Sequence, residues 1–589
     1  MDAPFLGVER SLLGKIWRTR GGDERAALTL SQRLDLPEIV GRILAARGVG
    51  VDEAPAFLAP TLRQALPDPS HLLDLDKAVA RLVAALKARE PVAVFGDYDV
   101  DGATSAALLA RYFAAVGATL VTYIPDRQKE GYGPNEAALR KLAADGIRVV
   151  VTVDCGISAH EALAAGSRAG LDVIVVDHHA AEPKLPDAWA IVNPNRLDET
   201  SPHKNLAAVG VTFLLLIGLN RALRAEGRFR DRAEPDLLNW LDLVALGTIC
   251  DVVPLTGLNR ALVTQGLKIM ARRDNPGLAA LADVAAVRSK PGAYHAGFIF
   301  GPRVNAGGRI GESDLGVRLL LAEDAAAAAP LAQRLDKLNK ERQAIEASVL
   351  TEALIEAERR RDNANALVLV AKDGWHPGVV GIVAARLVER FNRPSCVIAI
   401  KDGVGKGSGR SIQGLDLGAA IIAARQAGLL INGGGHKMAA GLTVAVDKIE
   451  QLRAFLSERL QRAADDPMLR PSLGVDGAIS VEAATPDFCE LIERIGPFGA
   501  GNAEPRFALP AVRIAKADVV GTQHVRCFLA GEGGGRLKAI AFRAVESPLG
   551  QALLNAKGGV LHLAGHLRPD DYQGRSDVQF FIDDAAPAH

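Results

Sequence analysis

From Val92 to Phe95 the chain runs β-branched and aromatic without a polar break, the pattern of a strand buried on both faces. Residues Thr104 to Val116 then carry apolar side chains at helical spacing. Short apolar runs return at Arg148–Val153, Leu171–Val176 and Leu241–Thr248, with Ala- and Leu-rich helical stretches between them. Strands alternating with helices over residues 76–324 predict a parallel α/β sheet, which places a site at the carboxyl ends of its strands. From Ala325 to Arg361 the residues Leu331, Leu335, Leu338, Ile345 and Val349 share one helical face, so 325–362 reads as a long connecting helix. Strand-like Leu367–Val370 and Cys396–Ile400 mark a second, smaller α/β domain over 363–464. After Asp465, Asp466 and Pro467 the pattern changes to short β runs between glycines, at Val512–Ile514, Val525–Ala530, Leu537–Phe542, Val560–Leu567 and Val578–Ile582. Those five runs predict an OB-like barrel over 465–589. Residues 1–75, with prolines at 37, 55, 60, 67 and 69, read as a helical and irregular segment without recognisable chemistry.

Composition narrows the class. A chain of 589 residues, 49% of them hydrophobic, is a multidomain globular protein. No apolar run approaches the ~20 residues that span a bilayer, and no basic stretch precedes an apolar N-terminal segment, so a cytoplasmic protein with no membrane partner is expected. Cys155, Cys250, Cys396, Cys489 and Cys527 are scattered without a C-x-x-C pair, which argues against a zinc knuckle or a disulfide framework. Sixty-nine basic residues balance 69 acidic ones, so contact with nucleic acid has to be local rather than spread over the surface.

The chemistry gathers where the apolar runs end. VAVFGDYDVDG delivers Asp97, Asp99 and Asp101 within five residues, and carboxylates so crowded either diverge into water or share a cation. Arg148–Val153 ends at Asp154, Leu171–Val176 ends at Asp177, His178 and His179, and Leu241–Thr248 leads into Cys250 and Asp251. Taken singly, each acid could be a helix N-cap or part of a solvated turn, and each histidine an ordinary surface or core residue. Four such run ends in one sheet point instead to a single metal site. Asp and neutral His suit Mn²⁺, and Mg²⁺ is held by carboxylates and water, whereas zinc would more often recruit thiolates.

DYDVDG, VDCG, VDHH and CDVVP, in this order, resemble the four motifs of the DHH phosphoesterase superfamily. Further matches extend almost to the C-terminus: IPDRQKEGYG at 124–133, FGPRVNAGGRIGE at 300–312, GWHPGVVGIVAARL at 374–387, GKGSGRS at 405–411 and GGGHKMAAG at 433–441. Within the superfamily the chain therefore resembles the RecJ family of single-stranded-DNA-specific exonucleases, over roughly residues 45–585. The resemblance implies a DHH catalytic domain over 76–324, a DHHA1 domain over 363–464 and a nucleic-acid-binding barrel. It also implies a two-metal 5′-to-3′ exonuclease that degrades single-stranded DNA to 5′-mononucleotides in recombination and repair.

By that resemblance Asp97, Asp99, Asp101, Asp154, His178 and Asp251 are metal ligands, Asp154 able to bridge two ions, Mn²⁺ or Mg²⁺. His179 joins the catalytic set, from the second ion or from behind the ligands, and Asp177 is expected to orient an imidazole. Ser408 and Arg410, with Gly407, Gly409 and Gly433–Gly435 letting backbone N–H groups approach closely, are assigned to the 5′-phosphate, a task that Arg127 could share. Arg303, Asn305, Arg309 and His436 are placed along the strand. In the barrel, Phe528, Phe542, Tyr572 and Phe580 interleave with Arg526, Lys538, Arg543 and Arg568, a pattern that serves base stacking or, for the inward half, the core. A monomer working beside a helicase and a single-strand-binding protein is the expected setting. Two other classes share these features in part: a DHH pyrophosphatase or small-nucleotide phosphodiesterase, whose members usually lack the barrel, and a catalytically dead DNA-binding scaffold, which the retained acids oppose.

Overall fold

The computed structural model describes residues 3–127, 129–360, 366–464, 470–556, 558–570 and 577–588. The chain divides into two compact units, one of residues 1–13, 17–336 and 474–589, the other of residues 14–16 and 337–473. The boundaries expected at 362/363 and after 464 fall against segments outside the described residues.

In the first unit, β1 (Val92–Gly96), β2 (Leu120–Tyr123), β3 (Val149–Val153), β4 (Asp172–Val176) and β5 (Ala190–Val192) form an all-parallel sheet in the order β2-β1-β3-β4-β5. Every residue of β1 and β3 is buried, as their unbroken apolar sequences require. The order reverses between β1 and β3, and that switch opens a crevice at the carboxyl ends of the two strands. Helix α1 (Val100–Ala115) follows β1 directly.

Beyond β5 the expected alternation stops. Every named element between residues 208 and 320 is a helix, α2 (Ala208–Ala225), α3 (Leu241–Cys250) and α4 (Gly301–Ile310) among them. Leu241–Thr248, read as a strand, is a helix. It lies buried along its length, so its apolar residues leave no polar face to betray a helical period, and a short run of this kind looks the same in either state. Helix α2 is long and apolar enough to cross a membrane by length and composition, yet 72% of it is buried within the protein, as for a core helix.

Helix α5 (Ala325–Arg359) leaves the first unit and enters the second, with Leu335, Leu338 and Val349 among its buried residues. The second unit is built on β6 (Val368–Asp373), β7 (Ser395–Lys401), β8 (Val404–Arg410), β9 (Asn432–His436) and β10 (Ala439–Ala445), in the order β9-β10-β8-β7-β6. Only β6 and β7 pair in parallel. Helices α6 (Val380–Phe391) and α7 (Leu417–Gln426) supply Val383, Leu387, Leu417 and Ile421 to its cores.

In the first unit again, all five expected barrel runs are strands: β11 (Phe507–Val520), β12 (His524–Ala530), β13 (Arg536–Ala541), β14 (Val560–Asp570) and β15 (Asp577–Pro587). They pair around a ring, β11-β12-β13-β15-β14, closed by β14 on β11, which removes the free edges of an open sheet. The N-terminal segment belongs to this barrel. Leu30, Val40, Ile43 and Leu44 share one core with Phe507, Leu509, Val525, Leu563 and Phe580. Buried Trp17 donates its indole N–H to Asp584 at 3.3 Å, and Arg20 pairs with Asp476 at 2.8 Å.

Candidate metal centre and nucleic-acid interface

Each strand of the switch region ends one residue before an acid, and each acid continues the ladder. The backbone N–H of Asp97 donates to Val153, that of Asp154 to Val176 and that of Asp177 to Val192, so three carboxylates from distant motifs stand side by side. Asp99 caps α1, accepting from the N–H groups of Asp101 and Gly102 at 2.9 and 3.2 Å. Asp101, inside the first turn, receives the N–H groups of Ala208 and Val209 at 2.7 and 2.9 Å, so the start of α2 fixes its carboxylate. Asp251 comes from the end of α3 rather than from a strand.

These side chains converge on one another. His178 Nε2 lies 3.2 Å from Asp154, 3.5 Å from Asp251 and 3.9 Å from Asp101. Three sets of ligand atoms each fit within 4.8 Å: Asp97, Asp99 and Asp154; Asp101, His178 and Asp251; Asp154, His178 and His179. Asp154 belongs to two of them. Buried Asp97 Oδ1, Asp154 Oδ1, Asp251 Oδ2 and His178 Nε2 lack a hydrogen-bond partner, although a buried polar atom left so costs about 1–3 kcal/mol. A set of unpartnered carboxylate oxygens with one imidazole fits a hard divalent cation.

Electrostatics agree. Burial, with Asp99 beside it, pushes Asp97 well above the usual carboxylate range, and burial with Asp101 does the same to Asp154. Burial and Asp99 raise Asp101 to about 7, and burial and Asp101 raise Asp251 to about 9. Burial and the neighbouring His179 lower His178 to about 4, so its ring is neutral, with a backbone hydrogen bond at Leu206 and Nε2 left for a metal. At Asp177 the hydrogen bonds and charge of His179 outweigh burial and hold the carboxyl down at about 2, while Asp177 raises His179 to about 9 against its own burial. Asp177 accepts from His179 Nδ1 at 2.7 Å and from the N–H groups of Ile157, His178 and His179; it orients, as expected, rather than pointing at the cluster. Cys155 and Cys250 lie beside the acids with their thiols pushed up by burial, unlike thiolate ligands.

Three further residues serve the site without having been singled out. The Tyr132 hydroxyl donates to the Asp154 carbonyl at 3.0 Å, and the side-chain amides of Asn193 and Asn195 donate to the carbonyls of His179 and His178 at 2.9 and 2.5 Å. Tyr132 lies in the EGYG of the 124–133 match, and the N-P-N that follows β5 was the only signal for the two asparagines.

The expected nucleic-acid residues fall in several places. The Arg127 guanidinium sits 4.9 Å over the Tyr98 ring, between the acids of the first motif. Arg303, Asn305 and Arg309 lie on α4, which packs on Tyr98 closely enough that a Cβ on Gly308 would approach the Tyr98 carbonyl to 2.9 Å. Arg303 is bound to Asp336 at 3.0 Å, which already partners its charge. In the second unit Arg410 donates to the Ser408 hydroxyl at 2.9 Å, and both side chains lie against the first turn of α6 at Gly381. The glycines of this motif act differently from expectation. Strand β8 is paired on both sides, so its backbone N–H groups serve the ladders, and Gly407 and Gly409 face Ile398, Leu442, Cys396 and Leu417, where a Cβ would come within 3 Å. They allow tight sheet packing while Ser408 and Arg410 face the other side. Gly433–Gly435 and exposed His436 lie on the edge strand β9. In the barrel Phe580 is fully buried and belongs to the core, Phe542 is exposed, and Tyr572 lies outside the described residues. Arg526, Lys538 and Arg568 are each paired with carboxylates.

Known proteins share these parts. The model of the DHH family's N-terminal domain matches residues 91–248, that of the DHHA1 domain 363–462 and that of the RecJ OB domain 475–584. The single-stranded-DNA-specific exonuclease RecJ of Salmonella typhimurium is 38% identical over 584 residues, covering 97% of this chain and 99% of the relative. Its counterpart in Bacillus subtilis is 35% identical over 580 residues, covering 97% of this chain and 70% of the relative. The crystal structure of RecJ in complex with Mn²⁺ from Thermus thermophilus matches with a TM-score of 0.80 at 29% identity, over 97% of this chain and 79% of that one, and its complex with Mg²⁺ with a TM-score of 0.75 at 28% identity, over 97% and 78%.

Proposed function

The chain belongs to the RecJ family of single-stranded-DNA-specific exonucleases, and on that footing we propose that this metal-dependent nuclease removes 5′-mononucleotides one at a time from the 5′ end of single-stranded DNA. The observation that carries the reading is the set of buried, unpartnered ligand atoms on Asp97, Asp154, His178 and Asp251 at the switch point of the sheet. Asp97, Asp99, Asp101, Asp154, His178 and Asp251 hold the metal, with Asp154 shared between two sets of donors. Bound there, two ions of Mn²⁺ or Mg²⁺ would supply an activated water and neutralise charge on the phosphorus.

The chain's own groups do the rest. The start of α2 holds Asp101 rigid, and the Leu206 hydrogen bond orients His178. His179, kept protonated by Asp177, presents a positive, half-exposed donor beside the ligands. In the 363–464 domain Ser408 and Arg410 offer a hydroxyl and a guanidinium to the 5′-phosphate. Arg127 shares that phosphate, Arg303, Asn305, Arg309 and His436 line the strand near the scissile phosphate, and the barrel of 465–589 holds the downstream strand. The protein works as a cytoplasmic monomer in recombination and repair, on strands opened by a helicase and covered by a single-strand-binding protein.

The test is a comparison of substrates with Mn²⁺ present. Single-stranded DNA labelled at its 5′ end should yield labelled mononucleotide from the first turnover, and duplex DNA should be spared. Faster turnover of dinucleotides or pyrophosphate than of long single strands, or first release of a 3′ label, would overturn the proposal.

A further inference from the structure

Two large aromatic rings lie open beside the metal centre. Tyr294 and Phe298 are 57% and 72% exposed and stack on each other, centroids 5.4 Å apart and planes 24° from parallel. Paired rings left in water form an apolar surface that calls for a ligand. Phe298 belongs to the π-helical turn His295–Phe300 that leads into α4, Tyr294 stands just before it, and that turn is pinned to the site on two sides. Cys250, next to Asp251, approaches the Ala296 carbonyl at 3.5 Å, while α4 packs on Tyr98, between Asp97 and Asp99.

The barrel carries a second aromatic surface. There the Arg568 guanidinium lies 4.8 Å over the Phe581 ring. Phe581 in turn contacts Phe542, 53% exposed, at 5.5 Å. Exposed Arg288 and Lys290 stand on the loop that enters the turn, adding positive charge. Ring faces in series with cations at their margins match unstacked bases on a phosphate backbone.

We propose that Phe298 and Tyr294 form a stacking step that carries the bases downstream of the scissile nucleotide from the metal centre to Phe581 and Phe542 on the barrel. The inference rests on the reading of the protein as a single-strand exonuclease and adds the path of its substrate. Phe580, in the core, takes no part in this path.

The experiment measures how affinity and KM change with strand length, for oligonucleotides of about 4 to about 20 nucleotides. In the native protein KM should fall as the strand grows long enough to reach the rings. In the double variant Phe298→Ala, Tyr294→Ala most of that gain should vanish, with binding of the longest strand weakened about tenfold, whereas Phe298→Trp should retain it. A 2-aminopurine placed a few nucleotides from the 5′ end should be quenched on binding to the native protein and brighter on the double variant. A double variant that keeps the native length dependence and quenching would overturn the inference, and so would a Trp variant as weak as the Ala one. Binding is read by anisotropy without metal, so a native protein that failed to cleave single strands would sink the functional reading while still deciding the stacking step.

Discussion

Asp154 occupies the left-handed region at φ +60°, which an aspartate adopts at a cost of order 1 kcal/mol, and its Oδ1 is buried without a partner. Strain and an orphaned oxygen in one residue fit a carboxylate set to take up a cation. Asn tolerates the same backbone and carries no charge, so Asp154→Asn should fold normally and unfold no more easily than the native protein without metal. Its metal-supported turnover should fall by more than about 100-fold, while single-strand affinity changes less than about threefold. Mn²⁺ at 100 times its Kd should stabilise the native protein by about 2.7 kcal/mol in a thermal melt and leave the variant unmoved; an equal shift in both would remove Asp154 from the ligand set. The crowding of DYDVDG announced such a site from sequence. The supporting amides of Asn193 and Asn195 left no trace beyond that N-P-N, because an Asn side chain has no periodicity to read and its partner is fixed only by the fold.

Among the elements, the segment that carries Asp251 shows how a motif depends on a distant loop. The Leu255 N–H donates to the Ala500 carbonyl at 2.7 Å, and Gly501, at φ +69°, fits so closely that a Cβ would come 2.8 Å from Cβ of Pro254. The barrel's PFGAGN loop thus straps down the CDVVP segment just after Asp251. Gly501→Ala adds a left-handed backbone penalty of about 1 kcal/mol and a clash, and should lower Mn²⁺ affinity about tenfold, as loss of a ligand's support does. Direct titration with Mn²⁺ checks this, and native affinity would uncouple the loop from the centre. The period of the sequence was readable where one face is buried or where β-branched residues run together, as in β1 and β3. It failed in α3, enclosed on every side, and it misjudged β8, whose glycines serve close packing on one face while the motif's polar side chains share the other.

At the scale of the molecule, the first 60 residues and the last hundred or so build one core. Ile43 is fully buried there, so Ile43→Ala should cost about 2–5 kcal/mol and weaken the barrel's hold on single-stranded DNA, although the barrel's own sequence is untouched. Urea unfolding followed by a barrel-specific signal checks this; a barrel that melts as before would separate the two segments. By itself the sequence determined the parallel sheet, the barrel's five strands, the long helix and the candidate acids and histidines, because runs of apolar residues and crowded carboxylates are local facts with few physical solutions. Only the tertiary structure decided that Asp251 arrives on a helix, that the N-terminal segment completes the barrel, and that Tyr294, Phe298 and Phe542 lie open while Phe580 is enclosed. Those outcomes depend on what packs against each face, and the partners come from residues hundreds of positions away.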